Sequence, residues 1–254
     1  MIVSFKKFMM LKGFIMLLNK NTLQLVSSLR QINESVIFTY PVTGMKDTTT
    51  GTLVFINMKT LENENFEPFA ISKLKEFIDL FKIVGEEAEI SIDEKGILSI
   101  IGKEGFSSKY ITSDVGIMEN IAGVKLSTLE AITSKEVIAE FVLSQNECEK
   151  ARKVSDLLAL EDMNFTLQES KNNIAIRCCS KSESNKDFTF NIAEVLSCKL
   201  DIKFSLTMLS LKKIPLSDFK CYVRKNEKDD SILALQLIPK ECSYITFIIP
   251  CEVI

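Results

Sequence analysis

The chain of 254 residues contains no histidine and no tryptophan. Without histidine it lacks the commonest general base, the usual zinc ligand and every catalytic triad that depends on imidazole. Glycine is scarce, at nine residues, and neither a P-loop nor a G-x-G-x-x-G dinucleotide-binding pattern occurs. These absences exclude much of enzymology, and they predict a protein with no cofactor and no metal.

The cysteines have no C-x-x-C spacing, and all seven lie in the second half of the chain, at positions typical of buried strands and helices. They are Cys148, Cys178, Cys179, Cys198, Cys221, Cys242 and Cys251. This pattern predicts reduced, buried thiols in a cytoplasmic protein, in the host cell if the protein is viral. A nucleophilic cysteine would need a pKa-lowering neighbour, and no histidine can serve as one.

Composition and length predict a soluble protein with two hydrophobic cores. Hydrophobic residues make up 46% and charged residues 26%, and 254 residues suffice for two domains of ordinary size. The net charge is only −3. Any contact with nucleic acid must therefore come from a local basic patch on an acidic protein.

Residues 1–15 are apolar with embedded lysines, and the uncharged stretch after Lys12 is too short to span a bilayer. No small-residue cleavage site follows, so we expect no signal peptide and no membrane span. The segment is then an extension before the first strand, a misassigned start with Met16 as the initiator, or an interfacial anchor.

Hydrophobic periodicity predicts four helices, each before or between runs of alternating strands. The helices are expected at 19–33, 71–84, 144–160 and 205–214, with Gly85 ending the second and a Ser144/Glu147 capping box starting the third. The strands are expected at 35–40, 52–58, 88–92, 97–101, 107–112, 163–167, 173–179, 188–192, 198–204, 220–224, 232–237 and 244–249.

The two halves of the chain repeat the same order of elements. Asn19 corresponds to Ser144, Ile71 to Ser205, Ile90 to Tyr222, Ile97 to Ile232 and Tyr110 to Tyr244. This pattern predicts a tandem duplication of an α+β unit, two helices on an antiparallel sheet. The expected division is an extension at 1–15, a first domain at 16–114, a connector at 115–137 and a second domain at 138–254.

Several motifs closely resemble the T-even-type bacteriophage DNA polymerase sliding clamp. The segments "LNKNTLQLVSSLRQIN", "FAISKLKEFIDLF", "EEAEISIDEKGILSI" and "SSKYITSD" resemble its N-terminal domain, and "FSLTMLSLKKIPLSDFKCYV" resembles its C-terminal domain more weakly. The resemblance covers residues 17–253, except for the loop at 43–51.

The resemblance implies the DNA clamp fold and a homotrimeric ring with no enzymatic activity. Such a ring encircles double-stranded DNA without sequence specificity, is loaded by an ATP-dependent clamp loader, tethers the replicative DNA polymerase and can support late transcription. By the same resemblance, 107–112 of one subunit would lie near 174–180 of its neighbour. The residues expected at this interface are Ser107, Lys109, Tyr110, Ile111, Ile174, Ile176 and Cys178.

The family also binds an apolar partner peptide beneath the connector. The resemblance places that pocket at Ile117, Met118, Ile121, Ile249, Pro250 and Val253, although burial in the core explains those residues equally well.

The distribution of charge agrees with a ring. The four predicted helices carry ten basic and five acidic residues, so they net +5 and the rest of the chain nets −8. Basic side chains that meet phosphates give affinity without sequence information, which suits sliding. The residues expected to face DNA are Lys20, Arg30, Lys73, Lys75, Lys82, Lys150, Arg152, Lys153, Lys212 and Lys213. A solvated helix face is the alternative explanation for these side chains.

Two other functions compete with the clamp. A single-strand DNA-binding or recombination accessory protein would need exposed aromatic residues among basic ones, whereas most phenylalanines here alternate as buried strand residues do. An enzyme could use Asp93 with Glu94 or Glu86 with Glu87, but solvated charge is the usual role of such pairs at turns.

Overall fold

The structure of the chain is a computed structural model. It describes residues 16–17, 29–59, 67–85, 88–93, 95–102, 104–183, 185–225 and 232–254. Within these ranges the chain forms seventeen β-strands and five α-helices, and every strand pair is antiparallel. None of the described helices is both long enough and apolar enough to cross a membrane.

Among the described residues, the first half contributes eight strands and one long helix. Its strands are β1 (Met16–Leu17), β2 (Val36–Phe38), β3 (Val42–Lys46), β4 (Leu53–Asn57), β5 (Phe69–Ile71), β6 (Glu89–Ile92), β7 (Ile97–Ile101) and β8 (Ser107–Ile111). Its helix is α1 (Leu74–Val84), and the short helices α2 (Val115–Ala122) and α3 (Leu126–Thr133) follow in the connector.

The second half contributes nine strands and two helices. The strands are β9 (Glu136–Leu143), β10 (Asp162–Gln168), β11 (Asn173–Cys179), β12 (Asp187–Asn191), β13 (Glu194–Cys198), β14 (Ile202–Thr207), β15 (Phe219–Lys225), β16 (Ile232–Pro239) and β17 (Ile245–Val253). The helices are α4 (Gln145–Leu158) and α5 (Met208–Lys213).

The helix ends follow the local chemistry that the sequence predicts. Ser144 caps α4, because its Oγ accepts the N–H of Glu147 at 3.2 Å while the Glu147 carboxylate accepts the N–H of Ser144 at 2.8 Å. This reciprocal pair is the predicted capping box, which is confirmed. Gly85 ends α1 with φ 114° and donates its N–H to the Phe81 carbonyl, so the predicted stop is also confirmed.

Two helices are shorter than predicted, because sheet pairing takes their first residues. Ile71 belongs to β5 and pairs with Val36, and residues 202–207 form β14 against β10. The predicted helix at 19–33 lies outside the described residues except for its last five, and residues 1–15 are likewise outside them.

The sequence also missed several elements. The loop expected at 43–51 starts as strand β3 and turns at Gly51, which has φ +71° and donates its N–H to the Asp47 carbonyl at 2.9 Å. The connector contains two helices, β9 was not predicted, and the single strand expected at 198–204 is divided between β13 and β14. The predicted domain boundaries stay a prediction.

The topology of the two halves repeats, apart from β13, which has no counterpart among the described strands of the first half. The first half has a sheet in the order β1-β6-β7-β8, and the second half has β9-β15-β16-β17 at the corresponding positions. The pairs β2–β5 and β3–β4 correspond to β10–β14 and β11–β12. This correspondence confirms the predicted duplication of an α+β unit.

Stacked phenylalanines occupy equivalent places in the two units. Phe38 on β2 lies opposite Phe69 on β5 with ring centroids 4.9 Å apart, and Phe165 on β10 lies opposite Phe204 on β14 at 4.7 Å. All four side chains are buried. Cross-strand aromatic pairs of this kind contribute stability beyond the area they bury. One continuous hydrophobic core runs through both halves, so the expectation of two separate cores is wrong.

Candidate assembly and nucleic-acid surfaces

The two halves are joined by backbone pairing within the chain. Strand β17, the last strand of the second unit, pairs with β4 of the first unit over Ile245↔Ile56 to Ile248↔Leu53. The joint produces a sheet of eleven strands that crosses from one half to the other. Phe247 and Val54, opposite each other, are both fully buried.

A buried ion pair also fastens this joint. The carboxylate of Asp47, in the β3–β4 turn, is 2% exposed and accepts from Lys213 Nζ at the end of α5 at 2.8 Å. It also accepts from the Thr50 hydroxyl at 2.6 Å and from the Thr49 N–H at 3.0 Å. Burial alone would raise the pKa of Asp47, but these donors outweigh it and lower the pKa below its ordinary value.

In the part of the chain that the structure describes, β8 and β12 are strands with one open edge, as are β1, β3 and β13. Strand β8 pairs with β7 on one side only, apart from a single bridge between Ala70 and Ser113 beyond its end. Strand β12 pairs only with β11 and ends the order β12-β11-β10-β14. Open edges of this length can accept a strand from another chain.

The second segment of the predicted interface, 174–180, lies one strand inside the open edge. Strand β11 pairs with β10 on one side and β12 on the other, so its backbone cannot accept a neighbouring subunit. The side chains of Ile174, Ile176 and Cys178 are fully buried in the core of their own chain. The alternation in "DFTFN" predicted β12 as a strand, but the order of strands was needed to place it at the edge. The assignment of Ser107, Lys109, Tyr110 and Ile111 to an interface stays a prediction.

The open edges of β8 and β12 both carry apolar side chains that their own chain covers only in part. On β12, Phe188 and Phe190 are half-buried, and their ring centroids lie 5.5 Å apart. On β8, Tyr110 is half-buried against Phe77, while Ile111 is 78% exposed. Ile83 on α1 and Leu157 on α4 are 74% and 82% exposed. Apolar groups at an open edge favour association.

The structure does not gather the residues of the predicted peptide pocket. Ile249 is fully buried in the main core, and Met118 is buried in a separate small cluster with Ile37, Ala70 and Ala122. Ile117, Ile121 and Val253 are exposed, and Pro250 is exposed beside Gly51. The prediction is wrong for Ile249, because alternate residues of β17 point to opposite faces of the sheet.

A cavity of about 260 Å³ does lie beneath the connector, between α2–α3 and the β2–β3 turn. Ile37, Pro41, Val42, Val124 and Leu126 supply apolar walls, and Glu119 and Lys125 add opposite charges. The connector lies so close to β3 that a Cβ at Gly44 would be 2.5 Å from the Val124 carbonyl oxygen. Glycine at this position therefore permits the close approach.

Most of the predicted DNA-facing side chains are exposed. Arg30, Lys73, Lys75, Lys82, Lys150 and Lys153 are accessible, and Lys20 lies outside the described residues. Four of them are paired along their own helix: Lys73 with Glu76, Lys75 and Lys82 with Asp79, and Lys153 with Glu149. Exposed pairs of this kind are weak. Whether these side chains face DNA stays a prediction.

The other three have partners that hold them in the fold. Arg152 is half-buried and donates from Nη2 to the Ile214 carbonyl at 2.8 Å, which links α4 to the end of α5. Lys212 pairs with Asp156 at 2.6 Å, and Lys213 pairs with the buried Asp47. The expectation that Arg152 faces DNA stays a prediction, and the end of α5 packs beside this side chain.

Features that would favour catalysis are weak in the described part of the chain. Asp93 accepts the N–H groups of Lys95 and Ile97 and so shapes a turn, while Glu86, Glu87 and Glu94 lie outside the described residues. Burial raises the pKa of Cys148, Cys178 and Cys251 to about 12, which disfavours the reactive thiolate. The described residues include no group of three or more Cys, Asp or Glu placed to hold a metal ion.

The described residues also provide few stacking surfaces for single-stranded nucleic acid. Ten phenylalanine side chains are almost completely buried, and Phe106 alone among the described phenylalanines is largely exposed. Single-strand binders stack successive bases on accessible aromatic rings.

Comparison with solved structures identifies the fold. The chain is similar to the Sulfolobus tokodaii PCNA2–PCNA3 complex, with a TM-score of 0.62 and 12% identity over 95% of this chain and 98% of the other. The proliferating cellular nuclear antigen of Entamoeba histolytica gives a TM-score of 0.62 and 13% identity, over 91% and 94% of the two chains.

A bacterial structure has the same fold in a longer chain. The DNA polymerase sliding clamp of Pseudomonas aeruginosa gives a TM-score of 0.62 with 8% identity, over 95% of this chain but 66% of its own. At such identities the similarity establishes the DNA clamp fold, as the sequence predicted, and the T-even phage type stays a prediction. No protein-family model matches the sequence, and no curated protein matches it either.

Proposed function

We propose that this protein is a sliding clamp: a homotrimeric ring that encircles double-stranded DNA and tethers a DNA polymerase for processive synthesis. The observation that carries the proposal is the joint between β17 and β4. This joint pairs β17, the last strand of the second unit, with β4, the fourth strand of the first. In the duplicated order β8 corresponds to β17 and β12 corresponds to β4, and both β8 and β12 have an open edge.

The same joint can therefore form between chains. Strand β8 of one subunit would pair with β12 of the next, as β17 pairs with β4 within one chain. A head-to-tail contact of this kind uses two different surfaces and closes into a ring when the rotation allows it. The half-buried Tyr110, Phe188 and Phe190 would become covered, as Phe247 and Val54 are in the intramolecular joint.

The charge on the helices suits a channel through which DNA slides. Lys75, Lys150 and Lys153 project from α1 and α4 into solvent, and carboxylates on the same helices partly neutralise Lys75 and Lys153. Diffuse contacts of lysine with phosphates hold a duplex without selecting a sequence. The ring would be opened by an ATP-dependent loader, and a role in late transcription belongs to the same proposal through the resemblance to phage clamps.

Partner proteins would bind beneath the connector. The cavity between α2–α3 and the β2–β3 turn takes the place of the pocket predicted from the sequence. Its apolar walls with a few polar groups at the margin are typical of ligand pockets.

The mass of the native assembly tests the ring directly. Sedimentation or native mass spectrometry should give three times the chain mass of 28.7 kDa at micromolar concentration. The loaded protein should stay on a closed circular duplex and slide off a short linear one. A chain that remains monomeric at tens of micromolar, or that shifts single-stranded oligonucleotides by itself, would contradict the clamp.

A charge-reversal variant tests the channel. K75E/K150E/K153E should lower retention on circular DNA and leave the native mass unchanged. The matched control is K95E/K171E/K240E, which changes the net charge equally at exposed positions outside the α-helices. Equal retention by the two triple variants would refute the assignment of this helix face to DNA.

A further inference from the structure

Helix α3 covers an apolar patch on the face of the sheet where the two halves join. The patch consists of Val42, Leu53, Phe55, Ala234 and Ile248, which come from β3, β4, β16 and β17. Phe55, Ala234 and Ile248 are buried. The connector side chains packed on them are Val124, Leu129 and Ile132.

The helix itself is weakly held. It has eight residues, none of them buried, and Lys125 at its N-terminus makes no side-chain capping hydrogen bond. Helices of this length are unstable alone in water, so α3 depends on its contact with the sheet. The patch, which is formed by paired strands, is therefore more stable than the helix that covers it.

One side chain fastens the end of α3. Arg224 on β15 donates from Nη1 to the carbonyls of Thr133 at 2.6 Å and Lys135 at 2.8 Å. Its Nε donates to the Oε1 of Gln236, a buried amide, at 2.7 Å. Within the described residues the guanidinium has no carboxylate partner, although the Tyr222 ring lies 5.7 Å away.

This arrangement leaves Arg224 open to a stronger acceptor. The bonds of a guanidinium to a carboxylate are charge-assisted and stronger than its bonds to neutral carbonyls. If α3 lifts away, Arg224 loses the Thr133 carbonyl as an acceptor while the apolar patch becomes exposed. A segment with apolar side chains and a carboxylate would satisfy both at once.

We propose that α3 is a displaceable occupant of this patch, in competition with a partner segment that carries two apolar side chains and a carboxylate for Arg224. This inference rests on the proposed function, since a tethered partner is what would displace the helix. Partner binding is then coupled to release of the connector. The hydrogen bonds of Arg224 and the packing of Leu129 and Ile132 on the patch set the balance between the covered and the uncovered patch.

The chain supplies its own probe. A fluorescent peptide of residues 124–133, VKLSTLEAIT, with a free C-terminus places a carboxylate where the Thr133 carbonyl meets Arg224, and the C-terminally amidated peptide is its control. In the full chain, L129S/I132S should loosen α3 while leaving the patch and Arg224 intact. Fluorescence anisotropy should show the free-acid peptide binding this variant at least about tenfold more tightly than the unmodified chain.

Two comparisons make the result specific. The acid should bind L129S/I132S several-fold more tightly than the amide, and R224Q added to that variant should remove the difference. I117S/I121S, which changes two exposed apolar residues of α2, should bind like the unmodified chain. Equal binding to the unmodified and loosened chains, no binding to either, or no preference for the acid would overturn the proposal.

Hydrogen exchange of the unmodified chain gives an independent test that needs no variant. Amides of 128–133 should exchange through local opening, much faster than the core amides of α4. Exchange of α3 only through global unfolding would overturn the competition. Neither measurement involves DNA or a polymerase, so either can fail while the ring and DNA retention assays succeed, and the reverse also holds.

Discussion

The two halves of the molecule have one topology but differ in how completely it is hydrogen-bonded. In the second half, β10 and β14 pair over six residues, and β14 then pairs with β17, so that nine strands follow one another in a single order. In the first half, β2 and β5 pair over three residues, and among the described residues a single bridge joins Ala70 of β5 to Ser113, just beyond the end of β8.

The difference shows that the first half relies on the second for part of its order. Its hairpin β3–β4 pairs with β17 of the other half, and Asp47 in its turn binds Lys213 of α5. The duplicated pattern therefore specifies the strand order twice, while the intramolecular joint supplies the continuity that the first unit lacks. An equivalent joint between chains would give β12 and β8 the same support.

The largest expected effect comes from a substitution that prevents the proposed joint between chains, β8 with β12, and leaves the joint within the chain, β17 with β4, intact. F190E places a charge on the open strand β12, where the proposed joint would bury the side chain, and burying an unpaired charge is costly. We expect the assembly to fall to a single chain of 28.7 kDa by sedimentation at micromolar concentration.

The control for F190E is L196E on β13, an exposed position at the other end of the large sheet. It should leave the native mass unchanged. An F190E protein that remains folded and fully assembled would show that β12 is not the joining edge.

The stacked pairs Phe38–Phe69 and Phe165–Phe204 allow the stability of the two halves to be compared. Truncating a buried phenylalanine costs about 3 to 5 kcal/mol, so F204A in the second half and F69A in the first should both lower the free energy of unfolding by roughly that amount. Urea unfolding measures both changes. If F69A costs much less than F204A, the Phe38–Phe69 stack is packed more loosely than its counterpart, and the first half is then the more dynamic unit.

The ion pair between Asp47 and Lys213, which links the two halves, should affect how stability depends on pH. The pKa of Asp47 is lowered from 3.8 in the folded chain, so its charge contributes stability above that value, and the contribution disappears as pH falls through the lowered pKa. D47N should lower the free energy of unfolding by about 2 kcal/mol at neutral pH, because it weakens the hydrogen bonds to Lys213 and Thr50. The difference from the unmodified protein should persist down to about pH 4 and shrink only below it.

The exposed carboxylate of Asp79 on α1 provides the matched control. D79N should shift the unfolding midpoint much less than D47N at neutral pH. A D47N protein as stable as the unmodified chain at pH 7 would mean that the ion pair between the β3–β4 turn and α5 contributes nothing to the free energy of unfolding.

The sequence was informative about local structure and duplication, and less so about pairing between distant segments. The capping box at Ser144, the stop at Gly85 and the limits of β7 and β11 follow from residue chemistry and alternation, so they could be predicted. That β12 rather than β11 lies at the edge depends on strand order, which alternation does not encode. The hydrogen bond of Arg152 similarly depends on a distant group, the carbonyl of Ile214, 62 residues away.

The smallest expected effect concerns the start of the long helix in the second unit. S144A removes the hydroxyl that accepts the N–H of Glu147, and losing such a cap costs about 1 kcal/mol. The loss should be localised, with faster amide exchange in the first turn of α4 and little change in the β15–β16 pairing. Restoration of the midpoint by S144D would attribute the loss to capping, since aspartate also accepts at this position. If S144A instead accelerated exchange throughout the second half, α4 would be required for the integrity of the whole unit, and the stronger hydrogen bonding of that half would depend on its helix as well as on its longer strands.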